Sequence, residues 1–437
     1  MKYDFIVIGA GLAGSYFTYL ASKFSSVLLV DKVSLQRETP IYNIFEQHNN
    51  QFFEDGDFPL DNEDIFTLDH NEIVYSGKQH QGIVDGREFG TRVGKFCNIS
   101  LLSQFYAEKA EKNGAELLFN TEVKNVVYSY EGMKVDLDGK EHWCDVVLLA
   151  TGSQDFKLQQ HLGFHIPSQY WGVFTRYTGD SDTIRQNIPN EYIFHYNRKI
   201  SPDGPLYTTR GKEHFELGML HKDKDEAVKK LLAVIARYDF IENYFTDVEP
   251  MPLPGAIKFD NGINIFTRRV SKGPLKQMAR DRVLLLGECA GLVTPFFYEG
   301  TTGCLCSAKI AADLLKTLND QEIASSTQWF NATNDGIGQY THLMKNNFIN
   351  TYLKSQKGSE DLFINSGSAG EDIFNVYADL LSKRSDLRNY VYQALVLDDL
   401  SKYKLANDRK SGEAMYAALP MSKKLLYSPH FLRASFN

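Results

Sequence analysis

The 437-residue chain is poor in the features that would give away a staple, a membrane span or a polyanion partner. Its five cysteines, Cys97, Cys144, Cys289, Cys304 and Cys306, form no Cys-x-x-Cys pair and no zinc spacing. They read as reduced, buried thiols, and no metal site is expected. No apolar stretch approaches the ~20 residues that span a bilayer. Basic residues do not dominate: 47 Lys and Arg against 55 Asp and Glu leave a net charge of -8, which argues against a nucleic-acid partner. The same charge leaves room for at most peripheral membrane contact through apolar docking. The start, Met1-Lys2-Tyr3-Asp4-Phe5, runs straight into a strand with no charged leader, so a cytoplasmic protein is expected. Internal repeats and low-complexity tracts are absent as well.

What is plentiful is length and aromatic surface. A chain this long exceeds what one core usually organises, so at least two closely packed domains are expected. The 24 Tyr and 29 Phe fill cores or line apolar ligand cavities.

Residues 3–9 read as a strand buried on both faces, followed by a helix to about Phe24 and a second buried strand, Val27-Leu28-Leu29-Val30, ending at Asp31. Between strand and helix lies Gly9-Ala10-Gly11-Leu12-Ala13-Gly14. A G-x-G-x-x-G is weak alone. Placed after a strand, opening a helix, and answered by an acid twenty residues after Gly11, it is a dinucleotide-binding fingerprint. Gly9 permits the tight turn, Gly11 removes a Cβ from the path of a pyrophosphate, and Gly14 lets the helix press on the strand. The helix N-terminus supplies partial positive charge to the phosphates. Asp31 accepts from ribose hydroxyls and would repel a 2′-phosphate.

A helix capped by Asn98 or Ser100 is expected to run to Asn113-Gly114. It is followed by a three-stranded meander, Lys124–Tyr130, Met133–Leu137 and Glu141–Ala150, with turns at Glu131-Gly132 and Asp138-Gly139. Ala150-Thr151-Gly152 returns the chain to the nucleotide. The second strong block is Gly287-Glu288-Cys289-Ala290-Gly291-Leu292-Val293-Thr294-Pro295, then Glu299-Gly300-Thr301-Thr302-Gly303. It follows the buried strand 283–287 and opens a helix from about Thr301 to Leu318. Glu288 can accept from ribityl or ribose hydroxyls, and the helix start presents N–H groups to the electron-rich edge of a flavin.

Together the two blocks resemble the FAD-dependent oxidoreductases of the p-hydroxybenzoate hydroxylase fold, and within them the geranylgeranyl reductase family. That family's second block reads Gly-Asp-Ala-Ala-Gly-x-x-x-Pro-x-x-Gly-Glu-Gly. Gly287, Ala290, Gly291, Pro295, Glu299 and Gly300 match it in register, Glu288 stands for its Asp, and Tyr298 for a Gly. Ser201-Pro202-Asp203-Gly204-Pro205-Leu206-Tyr207, running into Glu216-Leu217-Gly218-Met219, is similar to the family's Pro-Gly-Gly-Tyr segment. The loop Lys32–Asn50 lacks the Cys-Gly pair those reductases carry.

The resemblance implies FAD held by Gly9, Gly11, Leu12, Ala13, Gly14, Asp31, Lys32, Arg92, Val123, Ala150, Thr151, Gly152, Gly287, Glu288, Pro295, Gly300, Thr301 and Thr302. It places Tyr170, Trp171, Tyr207, Phe296 and Phe297 as substrate-lining rings, and Tyr298 as the candidate proton donor. Glu46 and His48 are acid/base candidates in the cysteine-free loop. The implied fold is α/β: a Rossmann-like FAD-binding domain with the meander (1–155 and 276–320), an α+β substrate domain (156–275) and a helical C-terminal region (321–437). The polar stretch 32–95 crosses to another sheet and back, so part of it can belong to the substrate domain.

Three functions stay open. The first is reduction of C=C bonds in an isoprenoid lipid or similar hydrophobic small molecule. The second is flavin-dependent monooxygenation of another hydrophobic substrate. The third is a non-catalytic FAD-binding module. With no second G-x-G-x-x-G, electrons come from transiently bound NAD(P)H, a ferredoxin-like protein or the substrate itself.

Overall fold

The computed structural model describes residues 2–436 except 39, 54–56, 60, 130, 238, 261, 321–335 and 404. The strand end expected at Tyr130, and the start of the expected C-terminal region, lie outside the described residues.

The first sheet is built from the runs read as two-sided strands. Lys2–Ile8 pairs in parallel with Val27–Val30 on one side and with Lys140–Leu149 on the other; Glu116–Leu118 extends the first flank and Val283–Leu285 the second. Val7, Leu28, Leu29, Val147, Leu148 and Leu284 are all buried, so both faces of the sheet are covered. Register decides the site: Ile8 lies beside Val30 and Leu149, and Leu149 beside Leu285. Four strands therefore end together, and three of them run into glycine turns. The turns that follow them, at Gly9–Gly14, Ala150–Gly152 and Gly287–Ala290, emerge side by side at the carboxyl edge where such sheets bind ligands.

The meander hangs from the same sheet: Val123–Ser129 pairs antiparallel with Gly132–Leu137, which in turn pairs antiparallel with Lys140–Leu149. Its tight turns use Gly132, Asp138 and Gly139 at positive φ. The helix Ile99–Lys112 starts where expected, the Asn98 side chain accepting from the Leu101 N–H at 3.2 Å. The first helix is shorter than expected, Leu12–Ala21 instead of reaching Phe24, because the chain turns at Ser22 to enter the second strand.

Among the described residues the second sheet has nine strands. Its middle is Asn264–Lys272, Ser168–Thr178, His214–His221, Leu206–Arg210 and Tyr192–His195, all antiparallel neighbours. Glu72–Ser76 and Gln81–Asp85 complete the far edge, so the crossing segment contributes strands here. Because side chains alternate, the sheet has two distinct faces. Val173, Tyr177, Phe215, Leu217 and Met219 face the helix Lys224–Arg237 and pack on its Ala227, Leu231 and Val234. Gly172, Phe174, Arg176, Glu216 and Leu220 face the other way, toward the glycine turns.

The C-terminal helices pack on the far edge of the second sheet. Ser368–Lys383 buries Ile373, Phe374, Tyr377 and Leu381 against Tyr75 and Val84. Leu381 is fully buried, a contribution of about 1.5–3 kcal/mol. Gly82 lacks a Cβ where one would run into the Ala378 carbonyl and Leu381, which lets that helix lie close on the strand. Among the described residues, no helix is long and apolar enough to cross a membrane, and no cluster of His, Cys, Asp or Glu could hold a metal ion.

Candidate functional site

One continuous cavity of about 1330 Å³ runs from the three glycine turns to the inner face of the second sheet. Pockets for a single drug-sized ligand span about 300–1,000 Å³, so this one has room for more than one such molecule.

At its nucleotide end the three fingerprint glycines do different things. Gly9 holds φ +107°, and a Cβ there would press on the Ala150 carbonyl. A Cβ on Gly14 would overlap the Gly9 carbonyl oxygen and lie 3.1 Å from Ala150 Cβ, so it is the helix-to-strand contact that demands glycine. A Cβ on Gly11 would meet nothing within 4 Å. Of the three, Gly11 alone has open space where a Cβ would stand. It is also the N-cap of the helix, and no side chain caps that end. The first N–H groups therefore remain for an anion.

Asp31 closes this end, 9% exposed. Its carboxylate accepts from the Ala10 N–H (2.7 Å), the Val33 N–H (3.1 Å) and the Arg37 guanidinium (2.9 Å). Lys32, Val123, Ala150, Thr151 and Gly152 also line the cavity, as do Leu12 and Ala13.

The second block joins the first through Gly287, at φ +63°, where a Cβ would crowd Cys304 Sγ at 2.9 Å and Ala13 Cβ at 3.1 Å. Glu288 lines the cavity, but its carboxylate is already engaged by the Arg268 guanidinium (3.0 Å) and the Ser271 N–H (3.2 Å). Gly300 and Thr301 line it too. The helix amides expected to face a ligand are partly taken: the N–H groups of Thr301 and Thr302 donate to the Glu299 carboxylate, which folds back over its own helix N-terminus. Asn43 and the Thr302 hydroxyl donate to Glu299 as well.

Beneath this turn lie Glu46 and His48, both buried and outside the cavity lining. Burial, and then the neighbouring Glu299, push the Glu46 carboxyl well above its ordinary value. Burial lowers His48 to about 4, and its ring bridges the Thr302 hydroxyl (3.0 Å) and the Ala394 carbonyl (3.1 Å).

Tyr298 occupies the left-handed region at φ +55°, where the related pattern has glycine. Its ring packs on Gly204 and lines the cavity, and its hydroxyl donates to the Asp203 carbonyl. Burial raises its pKa well above the ordinary tyrosine value.

The remaining expected residues divide. Tyr207 and Phe297 line the cavity. Phe296 is 1% exposed in the core against Phe363 and Phe374. Tyr170 packs under Lys272, and Trp171 under Lys224 and Arg269, outside the cavity lining. Arg92 sits 3.6 Å from Asp69 and also does not line it. Pro295, Thr302 and Gly14 do not line it either.

No family model matches the chain. An uncharacterised protein of Methanosarcina barkeri is 28% identical over 153 residues, 35% of this chain and 38% of that protein, so the match spans well under half of that relative. Solved structures cover the chain far more fully. A geranylgeranyl bacteriochlorophyll reductase-like protein from Thermoplasma acidophilum superposes with a TM-score of 0.63 at 14% identity, over 98% of this chain and 99% of that one. The chain has the fold of the FAD-binding oxidoreductases. A flavin-dependent brominase gives 0.68 at 15% identity over 94% of this chain and 98% of its own. A halogenase in complex with FAD gives 0.66 at 14% identity over 100% and 99%.

Sequence reasoning missed the polar floor of this oxidoreductase-fold cavity. Arg176, Glu216 and Tyr42 line it together with Phe174, Tyr192 and Thr209. Arg176 sits between the Tyr42 and Phe174 rings, 4.7 and 5.1 Å from their centroids. The signal was present as a charge inside each of two apolar strand runs, Val173-Phe174-Thr175-Arg176-Tyr177 and Phe215-Glu216-Leu217.

Proposed function

We propose that the protein is a FAD-dependent oxidoreductase that reduces C=C bonds in a hydrophobic substrate of isoprenoid type. The observation that carries this reading is the single cavity. Its one end is built from both glycine blocks, and its other end is walled by Phe174, Leu220, Phe266, Val270, Val293 and Phe297. The groove fits FAD: the room at Gly11, the uncapped helix start and the Asp31 carboxylate answer the pyrophosphate and a ribose. Bound, reduced flavin would supply the hydride.

The chain's own residues then hold the substrate and exclude water. Tyr298 forms part of the wall. Its hydrogen is committed to Asp203, so proton donation to a substrate carbon would require that bond to break. Electrons would arrive from NAD(P)H or a ferredoxin-like protein.

A second reading is supported by the brominase and halogenase neighbours: a reaction in which reduced flavin meets O₂. One experiment separates the two. Reduce the flavin anaerobically with dithionite, add a geranylgeranyl lipid, and follow flavin absorbance and lipid mass. Reoxidation with a mass gain of two hydrogens per bond supports the reductase. Reoxidation only after O₂ is admitted, with unchanged lipid, refutes it in favour of the second reading.

A further inference from the structure

We propose that the outer face of the last helix, Met421–Phe436, docks the protein on an anionic lipid surface. The proposal stands independently of the reaction assigned above.

The helix has two faces with different duties. Tyr427 is buried, and its hydroxyl and Lys423 Nζ donate to the Asp372 carboxylate at 2.6 and 2.5 Å. Phe431 packs edge-on against the Tyr416 ring. The Ala434 carbonyl lies so close to Gly358, on the helix Lys354–Phe363, that a Cβ there would stand 3.4 Å from it. Positions 423, 427, 431 and 434 are therefore the side that holds the helix to the protein. The opposite side carries Met421, Leu425, Pro429 and Leu432 at the same spacing, with Leu426 beside them. Met421 is 83% exposed, Leu425 85%, Leu426 68% and Leu432 57%. No other large apolar side chain among the described residues is more than half exposed. Single exposed apolar residues are ordinary, but a contiguous stripe of them marks an interaction surface.

The charge around the stripe selects the partner. The chain carries a net charge of -8, yet it has no Asp or Glu after Glu413. By helical spacing Lys424 and Arg433 fall on either side of the line from Met421 to Leu432, and among the described residues neither has an ion pair. Arg433 donates only to the Asp361 carbonyl at 3.2 Å, which leaves its charge uncancelled. Apolar side chains flanked by cations suit a helix lying among lipid headgroups, its apolar face about 5–10 Å deep. There the cations sit within a Debye length of the anionic surface, about 8 Å at physiological salt, while the acidic remainder of the protein is screened.

A second copy of the chain fits this face less well. A symmetric pair would set Lys424 and Arg433 against their own counterparts, and a stable dimer engages about 20–30 residues a side. One helix separates the face from the cavity wall: Phe363, on Lys354–Phe363, packs on Phe296, whose neighbour Phe297 lines the cavity.

The test is flotation of the purified protein with vesicles of phosphatidylcholine alone or mixed with phosphatidylglycerol. The expected result is binding to the mixed vesicles, at least fivefold tighter than to phosphatidylcholine. L425E/L426E changes only exposed side chains, so the fold is kept, and it should weaken binding to the mixed vesicles at least tenfold. Lys424→Gln should reduce the preference for the mixed vesicles and leave binding to phosphatidylcholine unchanged. No binding to either vesicle, equal binding to both, or undiminished binding by L425E/L426E would each overturn the proposal. Sedimentation without vesicles supplies the remaining arm. A wild-type dimer that L425E/L426E converts to monomer, with no vesicle binding, would assign the face to a second copy and overturn the proposal as well.

Discussion

Gly11 and Gly14 stand three residues apart in one motif, yet substitution at each should fail in a different way. At Gly14 an added Cβ overlaps the Gly9 backbone oxygen and lies 3.1 Å from Ala150 Cβ, so helix and strand must separate. Overpacking of that kind costs about 1–3 kcal/mol. Gly14→Ala should therefore lower the melting temperature of the cofactor-free protein by about 1–3 °C. At Gly11 a Cβ meets nothing within 4 Å, and φ -74°, ψ -176° suits any residue. The cost to the cofactor-free fold is at most about 1 kcal/mol, the N-cap preference for glycine over an aliphatic residue. Gly11→Val should nevertheless weaken FAD binding by about 3 kcal/mol or more, roughly 150-fold, because its methyl groups fill the approach to the pyrophosphate. The assay is thermal melting of the cofactor-free variants, paired with FAD titration by flavin fluorescence. A Gly11→Val protein that melts like Gly14→Ala, or that binds FAD as the wild type does, would show that the open space at Gly11 is not the path of the pyrophosphate.

Asp31→Asn should weaken FAD binding by about 1.5–3 kcal/mol, roughly 10- to 150-fold, read in the same titration; unchanged affinity would mean the ribose is held elsewhere. Tyr298→Phe should slow turnover less than tenfold, since the hydroxyl serves the Asp203 carbonyl, whereas a loss of ~10²–10⁴-fold would make it the proton donor. Tyr298→Gly should relieve about 1–2 kcal/mol of left-handed strain but lose more from the vacated ring volume, giving a net fall in urea midpoint. His48, lowered to about 4 by burial, stays neutral in the fold while the unfolded chain takes up a proton below pH 6.5. Its contribution to stability is therefore complete above that pH and is lost progressively between about pH 6.5 and 4. In His48→Gln the slope of unfolding free energy between pH 5.5 and 4.5 should flatten by about 1.4 kcal/mol per pH unit; an unchanged slope would show that His48 is protonated in the fold.

The nucleotide end was legible because it depends on local constraints. A strand, a turn that needs glycine and a helix follow one another within fourteen residues, so spacing alone carries the geometry. The alignment of Ile8, Leu149 and Leu285 that brings the three turns together depends on parallel pairing across some 280 residues, and only the family pattern hinted at it. The substrate end was read less well for the same reason. Strand alternation turned Phe174 inward and left Trp171 outside the cavity, and Phe296 went into the core while Phe297 faced the cavity. The Arg176–Glu216 pair exists only because antiparallel register sets two distant strands opposite each other. Attention to charges embedded in apolar strands would have marked both residues without supplying their partnership.

Whether the groove at the glycine turns holds FAD beside a substrate chamber can be read from the visible spectrum of the purified protein. It should show flavin bands, release FAD on denaturation at one molecule per chain, and regain the bands when the stripped protein is mixed with FAD. A colourless protein that FAD cannot reconstitute would contradict the account.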